Sequence, residues 1–386
     1  MNVQTQAPAG VRERPLHEVK AELMRRAGRL NPFEEIRPAD AQKVLDAITD
    51  LDKDRWGEEW SKLGLSYEKK GDERAAAGAS GKELAELYMH GFDACRVGRY
   101  PSPVSPGKLA AYHHSVRIFR KAAQHFDTKL EVIEIPFEGK KLIGYLQLPA
   151  GVSKPPVVLH WGGVDGWKED RLRIASEILN FGMASLTIDM PGSGENPVLY
   201  SDPAAERTYF AWLDYVLTRK EFDGTRLGVW GGSFGAYWAA RLAHTAKDRI
   251  KGAVFHGGNV HFGFQKEWLV PAFTTGGATY LFGAQSLLDA RGRAMGTKTM
   301  EEFLEIAPRF SLLTMGLLDK PSAPILGVNG KLDDQAPVAD IYLLMEHGSP
   351  KSARVYADGH HMGRTPGQPA DHIATTIVTW LKERLG

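Results

Sequence analysis

The sequence predicts an α/β protein: a mostly parallel, doubly wound sheet covered by helices on both faces, behind an N-terminal helical domain. Three observations lead there. Apolar residues spaced by three and four run through the first part of the chain. From about residue 129, short apolar strands alternate with helices. One connection, about 259–320, is far longer than the single helix that would suffice.

The helical part is assigned to 1–128. LHEVKAELMRRAGRL, ADAQKVLDAITDLDKDRWGEEWSKLG, KELAELYMHGFDACRVG and KLAAYHHSVRIFRKAAQHF carry the helical spacing. YPSPVSP separates the last two, because proline cannot continue a helix. The second part is assigned to 129–386. KLEVIEIPF and KLIGYLQLP alternate apolar and polar residues and read as an antiparallel hairpin. PVVLHW, ASLTIDM, LGVWG, KGAVFHG, APILGVNG and SARVYAD then read as strands. EDRLRIASEILNFG, AAERTYFAWLDYVLTRKEF, FGAYWAARLAHTA, VADIYLLMEHG and HIATTIVTWLKERL read as the helices between and after them. The 259–320 insertion reads as a cap whose aromatics, Trp268, Phe273, Tyr280 and Phe282, line a binding pocket, with the insertion's own small core or a dimer interface as the alternative.

Bulk composition narrows the function classes. With 43% hydrophobic and 25% charged residues, the chain is of ordinary globular type. A net charge of +1 gives no electrostatic reason to expect nucleic acid or an acidic membrane surface as partner. Cys95 is the only cysteine, so no internal disulfide forms, which suits a reducing compartment. The opening MNVQTQAPAGVRERP is polar and lacks the apolar core of a secretory signal, and no apolar run approaches a membrane span. A soluble, cytoplasmic protein is expected.

The chemistry concentrates around GVWGGSFGAYWAA. LGVWG is a strand, AYWAARLAHTA a helix, and Gly231-Gly232-Ser233-Phe234-Gly235 lies at their junction. A G-x-S-x-G turn needs small flanking residues because the backbone there is tight, and it exposes the serine hydroxyl at a helix start. A serine needs a base, and the base an orienting acid, in the chain order Ser, Asp, His for this strand-turn-helix type. Asp333 in KLDDQAP lies just past one strand end, and His360 in GHHMG past the next. Asp333 is favoured by its distances from Gly330 and Pro337, which leaves Asp334 as a helix N-cap. His360 is favoured by the step at Gly359. Asp334 and His361 stay open as replacements for their neighbours. The oxyanion needs N–H donors, assigned to Phe234 and to Gly163 and Val164 in GGVDGWKED. His256 and His261 follow a strand end and are candidates to border the substrate. DMPGSGENP resembles phosphate-binding glycine loops, but GxGxxG is incomplete and no ribose-binding acid is in place, so a structural loop is expected. No Cys/His cluster has metal spacing.

Together GGSFG, KLDDQAP, DGHHMG and DMPGSGEN resemble α/β-hydrolases. HGFDACRVGRYPSPVSPGKLAAYHHSVRIF and EVIEIPFEGKKLIGYLQLPAG are similar to the dihydroxypseudooxynicotine hydrolase and FrsA-like esterase group, from about residue 55 to the end. The resemblance implies a Ser-Asp-His hydrolase without cofactor, a homodimer, with an active site partly covered by the helical domain. It also implies a choice of reaction, because the group includes esterases and enzymes that cleave carbon–carbon bonds beside a ketone. The latter use an extra acid near the pocket, and GGNVHFGFQ has none before Glu267. The expected substrate is therefore a small, largely apolar or aromatic carboxylic ester, with carbon–carbon cleavage as the rival. A non-catalytic, partner-binding regulator is disfavoured by the intact Ser, Asp and His.

Overall fold

The computed structural model describes residues 14–30, 32–274, 280–347, 350–369 and 371–386. Most of the polar opening segment and the middle of the long insertion, 275–279, lie outside them. The described residues fall into two compact units. One lies within Ala9–Leu130 and Ala278–Ala290, the other within Glu131–Gly277 and Arg291–Gly386.

The first unit is helical. Its helices are α1 (Leu16–Arg26), α2 (Pro38–Ala47), α3 (Lys53–Ala76), α4 (Gly81–Arg99) and α5 (Pro106–Ala123). The sequence reads 39–64 as one helix, but the structure interrupts it after Ala47. Asp52 explains the restart, because its side chain accepts from the Arg55 N–H and caps α3. Ser80 and Ser105 cap α4 and α5 in the same way. The three long helices touch backbone to backbone at small residues: a Cβ added at Gly64 would lie 2.3 Å from Cys95 Sγ and 2.8 Å from the Gly91 carbonyl oxygen. Val19, Leu23, Phe33, Leu45, Trp56 and Trp60 form the core, and Leu281 joins them from far along the chain. The long insertion is thus divided: its 280–290 portion belongs to the helical unit.

The second unit is the eight-stranded sheet. In chain order the strands are β1 (Glu131–Phe137), β2 (Lys140–Gln147), β3 (Pro156–Trp161), β4 (Ala184–Ile188), β5 (Asp223–Gly232), β6 (Gly252–His256), β7 (Ile325–Gly330) and β8 (Lys351–Tyr356). Their spatial order is β1-β2-β4-β3-β5-β6-β7-β8. The hairpin turns at Glu138 and Gly139, both with positive φ, the conformation that matches the strand twist. β2 runs antiparallel to β4, and every later pairing is parallel.

β3, β4, β6 and β7 are buried along their whole length, as continuous apolar strands between two helical layers must be. On one face α6 (Leu172–Asn180) and α13 (Asp371–Leu385) bring Ile178, Ile373 and Ile377 against Val158, Trp230, Val254 and Leu326. On the other, Trp161 meets Tyr209 of α7 (Arg207–Thr218), which meets Trp238 of α8 (Ala236–Thr245). α9 (Lys266–Thr274), α10 (Ala284–Met295) and α11 (Met300–Ile306) lie in the long connection after β6, and α12 (Ala339–Glu346) links β7 to β8. The sheet grows to one side through β4 and to the other through β5. The ends of β3 and β5 therefore flank the reversal point, where ligands bind in open parallel sheets.

Candidate active site

Four strand ends supply the site. Ser233 follows β5 at the start of a single tight turn into α8, with φ of 53°, in the left-handed region that a serine enters at a cost. Its neighbours must be small. A Cβ at Gly231 would lie 2.5 Å from the Gly235 carbonyl oxygen, and one at Gly235 only 2.1 Å from that of Gly162. The strain thus holds the serine up at the sheet edge.

Ser233 Oγ is 2.8 Å from Nε2 of His361, and Nδ1 of the same ring is 2.8 Å from Oδ2 of Asp333. These two hydrogen bonds make one unbroken line of hydroxyl, imidazole and carboxylate. The Asp333 carboxylate is fully buried. Its other oxygen accepts from the N–H groups of Gln335 and Ala336, at 2.8 and 3.1 Å. Burial alone would raise its pKa, but His361 and the backbone donors outweigh burial and hold it below the ordinary carboxylate value.

The histidine differs from the sequence expectation: His361, not His360, reaches Ser233. Gly359 does not exist to lift the next side chain. It lets the β8 exit cross the β7 exit, since a Cβ at Gly359 would lie 2.7 Å from Tyr356 Cβ and 3.1 Å from Gly330 Cα. The backbone of His360 is then committed to the turn. Its N–H donates to the Arg364 carbonyl, and its carbonyl accepts from the Gly363 N–H. Residue 361 is the first whose side chain meets the serine, and Met362 behind it turns into the left-handed region with φ of 61°. Asp334, expected as a helix N-cap, does not cap α12, whose N-cap position is Val338.

The loop after β3 lies against the serine turn. A Cβ at Gly163 would sit 2.8 Å from Ser233 Cβ and 3.2 Å from the Phe234 nitrogen, so only glycine fits. The loop folds tightly on itself, with Gly162 against Gly166, and Trp167 Nε1 donates to the Val164 carbonyl. Beyond it Lys168 is buried among Glu169, Asp189 and Glu195, each carboxylate 2.8 Å from Nζ. Asp189 also accepts from the N–H groups of Lys168 and Glu195. Of the DMPGSGENP glycines, Gly194 packs on the Asp189 carboxylate, where a Cβ would lie 2.0 Å from Oδ2, and Gly192 packs on the Ala294 backbone, where a Cβ would lie 2.3 Å from the carbonyl oxygen.

The nominated substrate-facing residues do not converge. Phe273 is fully buried on α9 against Phe303, and the Arg291 guanidinium lies over its ring. Trp268 is half-buried on the same helix. Tyr280 is buried within the helical unit's share of the chain. An apolar run of aromatics does not distinguish lining from packing, and here packing took Phe273 and Tyr280. His261 bonds Ser311 Oγ at 2.7 Å. His256 is buried, with Nε2 2.9 Å from the Met362 carbonyl oxygen, so it lies beneath the His361 turn instead of bordering a substrate. Asn329 was missed by the sequence reading. It ties the two loops together, accepting from the Met362 N–H and donating to the Ala336 carbonyl. Its place one residue before the end of a buried strand, as the one polar side chain in APILGVNG, was the available signal.

Comparison with known proteins gives the family and the fold. A family model described as esterase FrsA-like matches residues 34–355. The esterase FrsA of Photobacterium profundum is 24% identical over 351 residues, covering 89% of this chain and 80% of its own. That of Klebsiella pneumoniae subsp. pneumoniae is 25% identical over 364 residues with the same coverage. Among solved structures, a 2,6-dihydroxy-pseudo-oxynicotine hydrolase superposes with a TM-score of 0.74 at 20% identity, covering 95% of both chains. AbyA5 superposes with a TM-score of 0.70 at 22% identity, covering 96% of this chain and 99% of its own. With a family model spanning most of its length and an α/β-hydrolase fold beneath it, the chain is a hydrolase and belongs to the FrsA-like esterase family.

Proposed function

We propose that the protein hydrolyses small, largely apolar or aromatic carboxylic esters through an acyl-enzyme formed on Ser233. The observation that carries this reading is the line from Ser233 Oγ through His361 to Asp333, with both links at 2.8 Å. Asp333, kept ionised, accepts a hydrogen bond from the Nδ1–H of His361 and so leaves Nε2 unprotonated to take the serine proton. The alkoxide then attacks the ester carbonyl, and His361 returns its proton to the leaving alcohol. Water repeats the sequence on the acyl-enzyme, releasing the acid. The Phe234 N–H is the first oxyanion donor, and the glycine-bound loop at Gly163 and Val164 supplies the second. Close packing of Gly163 on the serine turn supports that assignment.

The test is labelling with a fluorophosphonate probe, followed by product analysis on a series of short-chain and aryl esters. Wild-type protein should label at Ser233 and release an alcohol and an acid. Ser233→Ala should lose labelling and lower kcat by roughly 10³-fold or more while melting normally. Turnover by a cleanly folded Ser233→Ala preparation would remove the proposal. Release of a ketone and an acid from a β-diketone would replace ester cleavage by carbon–carbon cleavage on the same residues.

A further inference from the structure

Behind His361 lies a buried polar arrangement that the ester mechanism does not use. His256 is the last residue of β6 and is 5% exposed. Its Nδ1 is 3.3 Å from Trp230 Nε1 on the neighbouring strand β5, and its Nε2 is 2.9 Å from the Met362 carbonyl oxygen. An indole N–H only donates, so Nδ1 must accept and the imidazole proton must sit on Nε2. That proton then points to the Met362 carbonyl. The tautomer follows from the partners, and one orientation of the ring satisfies both.

Met362 is the residue directly after His361 and sits at φ of 61°, a conformation a methionine does not hold unaided. Its peptide groups are held at both ends. Asn329 Oδ1 on β7 accepts from its N–H at 3.0 Å, and His256 on β6 donates to its carbonyl. The backbone following His256 fills the remaining space. A Cβ at Gly257 would lie 2.7 Å from Met362 Cγ and 3.0 Å from its Cα, and one at Gly258 would lie 2.7 Å from the Ser233 carbonyl oxygen. The end of β6 is therefore wedged between the turn that carries the serine and the turn that carries the histidine.

We infer that His256, oriented by Trp230, is a positioning residue that fixes the strained Met362 peptide and so sets the His361 imidazole between Ser233 and Asp333. The inference rests on the proposed role of His361. Burial pushes the His256 pKa down to about 3, which keeps the ring neutral and its single proton in place across the working range. Without His256 the Met362 carbonyl would lose this donor, and the left-handed residue could relax. A small rotation of the turn would then move Nε2 off the serine hydroxyl, and displacements near 1 Å cost about 100-fold in turnover.

The experiment compares His256→Leu with His256→Gln, whose side-chain amide can still donate near the Nε2 position. Both are assayed by fluorophosphonate labelling rate and by hydrolysis of p-nitrophenyl acetate. His256→Leu should lower the labelling rate and kcat about 10- to 100-fold with KM within about twofold, and His256→Gln should recover most of the loss. The downfield proton resonance of the His361–Asp333 hydrogen bond should broaden in the leucine variant and persist in the glutamine one. Equal rates for the two variants, or wild-type labelling by His256→Leu, would overturn the inference. Should the leucine variant fail to fold, Trp230→Phe removes only the N–H. It is expected to label about threefold or more slowly, and labelling at the wild-type rate counts against the inference in the same way. Ser233→Ala and His361→Ala run beside these variants. If they stay active, the ester mechanism itself has failed; if they are dead while His256→Leu is fully active, only the positioning role has.

Discussion

At the residue scale the decisive quantity is which of two adjacent histidines meets the serine. Two hydrogen bonds of 2.8 Å assign that place to His361. The His360 side chain makes no hydrogen bond among the described residues, and only its backbone is used, in the turn. His361→Ala is therefore expected to lose roughly 10³-fold or more in kcat, and His360→Ala to stay within a fewfold of wild type. Steady-state kinetics on one aryl ester checks this, and a dead His360→Ala beside an active His361→Ala would reverse the assignment. Ser233 and Asp333 were legible because each is signalled by its surroundings: glycines at fixed offsets for the serine, and a strand end followed by a turn for the acid. For Asp333 beside Asp334 the spacing to Gly330 and Pro337 pointed the right way, but the histidine was not legible, because the one cue beside His360 and His361, Gly359, serves the strand crossing instead. What separates the two histidines is a long-range crossing, Gly330 against Gly359, and a left-handed residue at Met362. Neither has a local signature. His256 was misread for a related reason. A strand-end histidine looks the same in sequence whether it faces a ligand or props up a neighbouring turn.

At the scale of elements, the strands were readable because burial on both faces forces uninterrupted apolar runs, and each run ends near a glycine or a charged residue. Element joints were harder. The break between α2 and α3 depends on one capping aspartate, Asp52, inside an otherwise helical pattern. The joint between β6 and α12 depends on a partner some 80 residues away. Asp340 on α12 accepts from four successive backbone N–H groups, those of Val260, His261, Phe262 and Gly263, at 2.8 to 3.2 Å. No side-chain pattern at 260–263 announces that carboxylate. Burial raises its pKa from 3.8 to about 6 against the opposing pull of those four donors. Below pH 3.8 both folded and unfolded states hold the proton, and above about 6 neither does. Between the two the folded state binds the proton more tightly, so stability falls as pH rises, by up to about 3 kcal/mol from this one group. The difference in unfolding free energy between wild type and Asp340→Asn, followed by urea titration across that window, should therefore decrease with rising pH. An increase would mean that the four amide bonds win over desolvation and that the carboxylate is ionised throughout.

At the scale of the whole molecule, the helical unit is discontinuous in sequence. Its core of Trp56, Trp60, Phe33 and Leu45 is completed by Leu281, which is fully buried, and by Phe282, whose ring meets Trp56 edge-on at 4.8 Å. Lys108 Nζ lies 4.9 Å from the centre of the Phe282 ring and donates to the Tyr100 carbonyl at 2.6 Å. At the surface Lys53 pairs with Asp289 at 2.6 Å. These contacts differ greatly in weight. Lys53 is about half exposed, and a solvated ion pair contributes about 0 to 1 kcal/mol, whereas removing a buried leucine costs about 2 to 5 kcal/mol in transfer and cavity terms. Apolar burial, not the ion pair, is what makes residues 280–290 part of the helical core. Sequence periodicity could not reveal this, since the partners are more than 200 residues apart and each segment alone reads as an ordinary apolar stretch. Leu281→Ala should thus weaken the helical unit at a distance in sequence. Amides in α1, α2 and α3 should exchange hydrogen faster by the factor matching a loss of about 2 to 5 kcal/mol, and Asp289→Ala should leave them nearly unchanged. If Leu281→Ala instead sped exchange only within 280–290, that segment would be an appendage laid on a core already complete without it. If both variants left exchange unchanged, the buried leucine would carry no weight at all.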